Sequence, residues 1–262
     1  MPGGLSNPHV KFENYKDRYR NIKLERKDGI LLMTLHSKGG PFKFSAEFHT
    51  DSCDAFANIA ADFENRCMII TGTGDSFCDG LDFNADVSDP DVVARIQWEG
   101  RKMLLNLMDI EVPIIGAVNG PAIIHAEMGV MHDMVICTED TVFADMPHFP
   151  GGVVPGDGVH VIWQHILGPT RGRYFLLTGQ HIPAKEAKEV GIVNEVVARA
   201  KLMDRAWELA RMVIERPNLV TRYSRLVLTR NYRKLLEAET GYGLALELFA
   251  SSVRVREMMG QR

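Results

Sequence analysis

His148 and Asp157 lie nine positions apart within Phe143–Gly158, FADMPHFPGGVVPGDG, and of all pairs in this chain they are the best placed for acid–base work. Pro150 and Pro155 fix φ between them, and Gly151, Gly152 and Gly156 permit tight reversals, so the stretch reads as a stiff loop. Nine residues is too long a spacing for neighbours on one helix face. A carboxylate that meets an imidazole across such a loop fixes the ring's tautomer and stabilises the cation formed when the other nitrogen takes a proton. That describes a general base, and one that activates water, because no serine or cysteine sits in an evident nucleophile motif. With an unperturbed pKa of about 6.5 the ring is mostly neutral at pH 7 and ready for that role. Asp157 also precedes the apolar run Val159–Leu167, so a helix N-cap or an i,i+3 contact with His160 is a second reading of the same residue.

The elements around the loop follow from periodicity. Asn21–Arg26 and Ile30–His36 are β-rich runs joined by Lys27-Asp28-Gly29, a hairpin signal. Phe48, Ala55, Phe56, Ile59, Ala60 and Phe63 recur at helical spacing and predict an amphipathic helix over Ala46–Phe63. Cys67–Thr71 is a short apolar strand running into a glycine-rich turn, and Ser76–Phe83 reads as an irregular loop with backbone amides to offer. A helix is predicted through Val92–Met108, then a buried strand Pro113–Val118 that ends at Asn119-Gly120-Pro121. Ala122–His132 is apolar apart from His125, Glu127 and His132 and reads as an internal helix. Strands at Met134–Cys137 and Thr141–Ala144 then deliver the chain to the His148 loop. Beyond it come helices at Val159–Leu167, Arg173–Thr178 and Ala184–Val190 and a strand at Asn194–Val197, after which the pattern is helical only. The last run, about Leu219 to Met258, is predicted to be interrupted by Gly241 and Gly243.

This order gives an α/β core with a helical tail: an arm over residues 1–20 with a short helix near Tyr15–Tyr19, a core over 21–200, and a helical subdomain over 201–262. At 262 residues one sizeable core can be buried, and 45% apolar with 24% charged residues is ordinary for a soluble globular chain. A net charge of -4 gives no reason to expect nucleic acid or an anionic membrane as partner. Cys53, Cys67, Cys78 and Cys137 lack metal-site or disulfide-framework spacing, so reduced thiols and a cytoplasmic setting are expected. The N-terminal stretch has no apolar core of a signal peptide, and no run is long enough for a membrane span. His9, His36, His49, His132, His165 and His181 show no evident partners in the sequence and are assigned no chemistry.

Ser76-Phe77-Cys78-Asp79-Gly80-Leu81-Asp82, Ala117-Val118-Asn119-Gly120, Met146-Pro147-His148 and Val154–Gly158 occur in the order and spacing of the crotonase (enoyl-CoA hydratase/isomerase) superfamily, which the chain resembles. The resemblance implies a spiral of ββα repeats forming two sheets, a helical C-terminal region, and homotrimers or dimers of trimers. Where CoA-dependent members carry an oxyanion glycine this chain has His125, Met128 stands at one hydratase glutamate and His148 at the other, and Leu81 replaces a small residue beside the CoA. Hydration by paired carboxylates is therefore not expected. NGPxxxH at Asn119–His125, PHFPxGxVPGDG at Pro147–Gly158 and RGRYFLLTGQ at Arg171–Gln180 resemble the β-diketone hydrolase branch, the 6-oxocamphor hydrolase type. That resemblance implies retro-Claisen cleavage of a small-molecule diketone with no CoA, metal or organic cofactor. His148 and Asp157 would be the dyad, His125 the hydrogen bonder to the carbonyl that becomes an enolate, and Glu247 a further acid. Phe44, near the position of a pocket tryptophan in that branch, would line the substrate pocket with Leu81 and Phe83. Two other readings stand beside it: a CoA-thioester crotonase of altered chemistry, and a non-catalytic oligomeric member of the family.

Overall fold

The computed structural model describes residues 10–260. Residues 1–9 of the 1–20 arm lie outside the described residues; the arm's helix is α1, Phe12–Tyr15, rather than Tyr15–Tyr19. The hairpin forms as expected from β1 (Ile22–Lys27) and β2 (Ile30–Leu35), with Asp28 and Gly29 both at positive φ in the turn. Next come β3 (Lys43–Ser45), α2 (Ala46–Ala61) with its N-terminus capped by the Ser45 hydroxyl, β4 (Cys67–Gly72), β5 (Gly80–Asp82), and α3 (Pro90–Met108) capped by Asp89. The chain continues through β6 (Ile114–Val118), α4 (Glu127–Val130), β7 (Met134–Thr138) and β8 (Val142–Phe143). After the His148 loop follow α5 (Val159–Leu167), α6 (Pro169–Thr178), β9 (Ile182–Pro183), α7 (Ala184–Glu189), β10 (Glu195–Val197), α8 (Leu202–Ile214) and α9 (Asn218–Gly260).

The principal sheet has the order β1-β2-β4-β6-β7-β10, parallel throughout except for β1 at one edge. Every residue of β4 and β6 is buried, as a parallel sheet covered on both faces requires. Ile69, Ile115, Ala117 and Ile136 face Leu202, Ala206, Leu209 and Ala210 of α8, while Met68, Ile70, Ile114 and Val118 belong to the larger core with Phe48, Phe56 and Leu107. A second, broken row of strand pieces supplies the other layer. In it β3 pairs β5 in parallel, single bridges join Cys78 to Ala122 and Ala122 to Phe143, and β8 pairs β9 antiparallel. Phe44 lies in β3 and Leu81 in β5 of this row, and the chain runs from the Ala122 bridge to His125 and from β8 to His148.

Three expectations are corrected. Ser76–Phe83 is not wholly irregular: Gly80–Asp82 is strand and Cys78 is bridged, because β3 and Ala122 supply partners not evident from the local pattern. Ala122–His132 is not one helix. Its first half is committed to the bridges at Ala122, with Ile123 and Ile124 donating to the Cys78 carbonyl, so only Glu127–Val130 coils. Finally, α9 runs unbroken for 43 residues through Gly241 and Gly243. A Cβ on Gly243 would stand 2.2 Å from the Gly156 carbonyl oxygen, so glycine here admits the close approach of helix and loop instead of ending the helix. The four cysteines are buried and free, and among the described residues no helix is long and apolar enough to cross a membrane.

Candidate active site

Two backbone segments carry the imidazoles, and one anchor holds both. Asn119 accepts the Gly72 N–H at 3.0 Å and donates to the carbonyls of Gly74 (2.9 Å) and Ser76 (3.0 Å), pinning the turn after β6 onto the turn after β4. Gly120 (φ 151°) is packed so closely there that a Cβ would meet the Asp75 carbonyl oxygen at 1.9 Å. The chain leaving this turn is paired with the start of the His148 loop: Ala144 N–H donates to Ala122 O and Met146 N–H to Ile123 O, both at 3.1 Å. His125 follows with φ 46°, a left-handed conformation that a bulky residue adopts only under constraint from its surroundings. Its ring is clamped face to face on Phe44, with centroids 3.8 Å apart.

The acidic and basic groups form one line. Asp145 Oδ1 lies 2.7 Å from His148 Nδ1, His148 Nε2 lies 3.3 Å from Asp157 Oδ2, that same oxygen lies 3.5 Å from His125 Nδ1, and His125 Nδ1 lies 2.8 Å from Glu127 Oε1. The two imidazoles are edge to face, with centroids 5.3 Å apart. All members but Asp157 are buried, and Asp157 is only 17% exposed at its side chain. Glu247, on α9, accepts the Gly156 N–H at 3.0 Å, one residue before Asp157.

Burial and charge pull these groups in opposite directions. Burial alone disfavours the His148 cation, but Asp157 and Asp145 outweigh it and hold the ring well above the usual imidazole range. His125 is raised in the same way, Glu127 and Asp157 prevailing over burial. Asp157 is kept ionised: burial opposes its charge, and His148, then His125, more than compensate. Burial, reinforced by the Asp157 charge, pushes the Glu247 carboxyl up to about 8, so it is a neutral acid at pH 7. Burial also raises Glu127. A mostly neutral His148 at pH 7, expected from the unperturbed ring, is therefore replaced by a ring that favours its cation.

All seven residues singled out in the sequence line one cavity of about 220 Å³: Phe44, Leu81, Phe83, His125, His148, Asp157 and Glu247. Phe83 stacks on Phe44 at 6.1 Å, and Leu81, half exposed, stands at the rim. Asp157 also accepts the Val159 N–H at 3.3 Å, so its helix-terminus role and its place beside His148 coexist. Neither ring nitrogen of His160 hydrogen-bonds Asp157, whose charge alone reaches that ring. The carboxylate on Nδ1 of His148 is Asp145, while Asp157 faces Nε2. Sequence reasoning passed over Asp145 and Glu127, although the i,i+3 spacing of Asp145 to His148 and the acid inside an apolar run at Glu127 were available signals. It also left His49 without a partner, whereas buried His49 lines the cavity and bonds Glu99 Oε2 at 2.9 Å through Nδ1. Fifty positions separate that pair, and nothing local announces it.

His125, His148 and Asp157 each place one donor atom within 4.8 Å of the others, a spacing that could gather a cation. The alternation of carboxylates and imidazoles already gives each charge a partner, so the group reads as an acid–base cluster.

A sequence profile of the enoyl-CoA hydratase/isomerase family matches residues 25–258. The chain belongs to the crotonase superfamily. Within it, the chain is similar in structure to a β-diketone hydrolase from the cyanobacterium Anabaena sp. PCC 7120, solved bound to (S)-3-oxocyclohexyl acetic acid, with 43% identity and a TM-score of 0.89 over 91% of this chain and 96% of the other. An enoyl-CoA hydratase/isomerase from Mycobacterium paratuberculosis shares the crotonase fold at a TM-score of 0.80 and 24% identity, covering 90% and 95% of the two chains. Among curated relatives, the carnitinyl-CoA dehydratase of Shigella flexneri is 32% identical over 197 residues, 74% of each chain. The expected crotonase fold, with its two layers of strands and long C-terminal helix, is therefore established.

Proposed function

We propose that this crotonase is a β-diketone hydrolase that opens a compact, non-enolisable cyclic 1,3-diketone to a keto acid without CoA. The observation that carries the reading is the convergence of His148, Asp157, His125 and neutral Glu247 on one small cavity, with buried Asp145 and Glu127 each holding one of the two imidazoles from outside its lining. The similarity to the Anabaena hydrolase supports it. Joining the carboxyl carbon of an oxocyclohexyl acetic acid to the far α-carbon of its ring ketone regenerates a bicyclo[2.2.2]octane-2,6-dione. Its bridgehead between the two ketones cannot enolise, so such a compound is a suitable substrate.

In the first step His148, in its neutral form, takes a proton from water at Nε2 while the water oxygen bonds to one carbonyl carbon. General-base assistance of this kind contributes roughly 10² to 10⁴ in rate. The tetrahedral adduct then collapses: the bond to the carbon between the ketones breaks, its electron pair moves onto the second ketone as an enolate, and the first carbonyl becomes a carboxylic acid. His125, whose Nδ1 is committed to Glu127, has Nε2 to offer the enolate oxygen, and Glu247 is a second donor. A donor aimed at developing oxyanion charge is worth about 3–4 kcal/mol. The proton held at His148 then returns to the enolate carbon, so no proton is gained or lost. Phe44, Phe83 and Leu81 bound the cavity and limit which face of the enolate is reached.

The test is release of carboxylic acid from bicyclo[2.2.2]octane-2,6-dione by purified protein without CoA, in parallel with His148→Ala. Acid release that His148→Ala lowers by at least about 10²-fold, with the fold retained, is expected. Turnover of enoyl-CoA thioesters in place of any diketone would overturn the reading and favour the CoA-dependent alternative, to which the carnitinyl-CoA dehydratase relationship points. We further propose that copies of the chain assemble through the first half of α9, where Leu219, Val220, Tyr223, Val227 and Leu228 are exposed together.

A further inference from the structure

We propose that Asp145 is the positioning residue of the site: it holds the single proton of neutral His148 on Nδ1 and so keeps Nε2 free to exchange protons with the reactant. The inference rests on the reading of His148 as the base. It concerns which nitrogen of that ring acts and what makes it so.

The side chain of Asp145 is fully buried, and Oδ1 meets His148 Nδ1 at 2.7 Å. Its other oxygen, Oδ2, has no hydrogen-bond partner among the described residues, and the carboxylate caps no helix and receives no backbone N–H. A carboxylate placed in the interior with one partner is expensive unless that partner carries or shares a proton. The imidazole of His148 is what satisfies it. An ionised carboxylate only accepts, so Nδ1 must be the donor.

The neutral ring has one proton and two claimants. Asp157 Oδ2 faces Nε2 at 3.3 Å and, left alone, would draw the proton to that nitrogen and block it. Asp145 stands closer, in the 2.7–2.9 Å range of strong charge-assisted bonds. The contest is therefore settled toward Nδ1. The backbone fixes the winner's position, because the hydrogen bonds of Ala144 to Ala122 and Met146 to Ile123 flank Asp145 on either side. The loop cannot slide without breaking the pairing that also positions His125.

The experiment is ¹⁵N NMR of the imidazoles in the unliganded protein above the His148 pKa, with His148 assigned by its disappearance in His148→Gln. Asp145→Leu is the principal variant, since an apolar side chain removes the acceptor and puts no other polar group beside Nδ1; Asp145→Asn is made alongside. The expected result is Nδ1–H in the wild type and Nε2–H in Asp145→Leu, with kcat for the diketone reduced by about 10²-fold or more and KM nearly unchanged. Nε2–H in the wild type would overturn the proposal, and so would an Asp145→Leu protein that keeps Nδ1–H or keeps its kcat. If neither variant folds, the wild-type tautomer decides alone. If no diketone is turned over, the proposed function fails, while the tautomer measurement still judges Asp145.

Discussion

Replacing Asp157 by asparagine tests the electrostatics of the site most directly. Asp157 Oδ2 is 3.3 Å from His148 Nε2. At an effective dielectric of about 20, opposite unit charges at that separation attract by about 5 kcal/mol. Burial opposes the cation and Asp145 remains in place, so the expected fall in the His148 pKa is smaller, about 1–3 units. The sign follows from the mechanism: the base acts when neutral, so kcat/KM is low below the His148 pKa and rises with pH through it. In the wild type that acid limb lies above the ordinary imidazole value of about 6.5, because the ring is held above it. In Asp157→Asn the limb moves to lower pH by about 1–3 units, even as the plateau falls with the loss of a group beside the reacting water. The assay is the pH profile of kcat/KM for acid release, paired with NMR titration of His148. Asparagine retains an oxygen for the Val159 N–H, so the unfolding temperature checks that the loop is intact. An acid limb that stays in place, or moves to higher pH, would refute the reasoning.

Four further variants have expected outcomes. Glu247→Gln should abolish an alkaline decline in kcat/KM, because the carboxyl pushed up to about 8 is protonated and active below that pH and ionised above it; the pH profile checks this. The same substitution should increasingly stabilise the protein relative to wild type as pH rises from about 4.5 toward 8, since a raised folded-state pKa means stability lost over that range, read by chemical denaturation at several pH values. Gly243→Ala, whose Cβ would stand 2.2 Å from the Gly156 carbonyl oxygen, should cost about 1–3 kcal/mol or more and depress activity, with thermal unfolding and kcat as readouts. Phe44→Leu should release the stacked His125 ring and lower kcat/KM up to about tenfold, an aromatic contact being worth about 0.5–1.5 kcal/mol. Paired aspartates at Val227 and Leu228 should shift the protein to smaller species in light scattering, if α9 joins copies of the chain.

Much of the principal sheet was legible because β2, β4 and β6 are apolar runs with turn residues at their ends, and the Asp28-Gly29 hairpin announces itself. The second layer was not, because β3, β5 and the bridges at Cys78, Ala122 and Phe143 are each too short to carry a period and form only when several chain segments meet. Helix propensity misjudged α9 for a similar reason: Gly243 is chosen by its contact with Gly156, and the rest of a long helix carries it through. In the site, His148, Asp157 and His125 could be read from motif and spacing. Asp145 had only its i,i+3 spacing to His148 as a signal, which an exposed loop acid shares; its full burial shows only in the fold.

The cavity wall contributed by α9 consists of Leu244, Glu247, Leu248 and Ser251, one face of a helix at three- and four-residue intervals, while Ala245, Leu246 and Phe249 between them point elsewhere. The acid–base line comes from other segments, the start of α4 with the turn before it and the loop before α5. Apart from Glu247, α9 thus shapes what fits, while the acid–base line is written on other stretches of the gene. Drift at Leu244, Leu248 and Ser251 can reshape what fits, generation by generation, under a reaction that need not be reinvented each time.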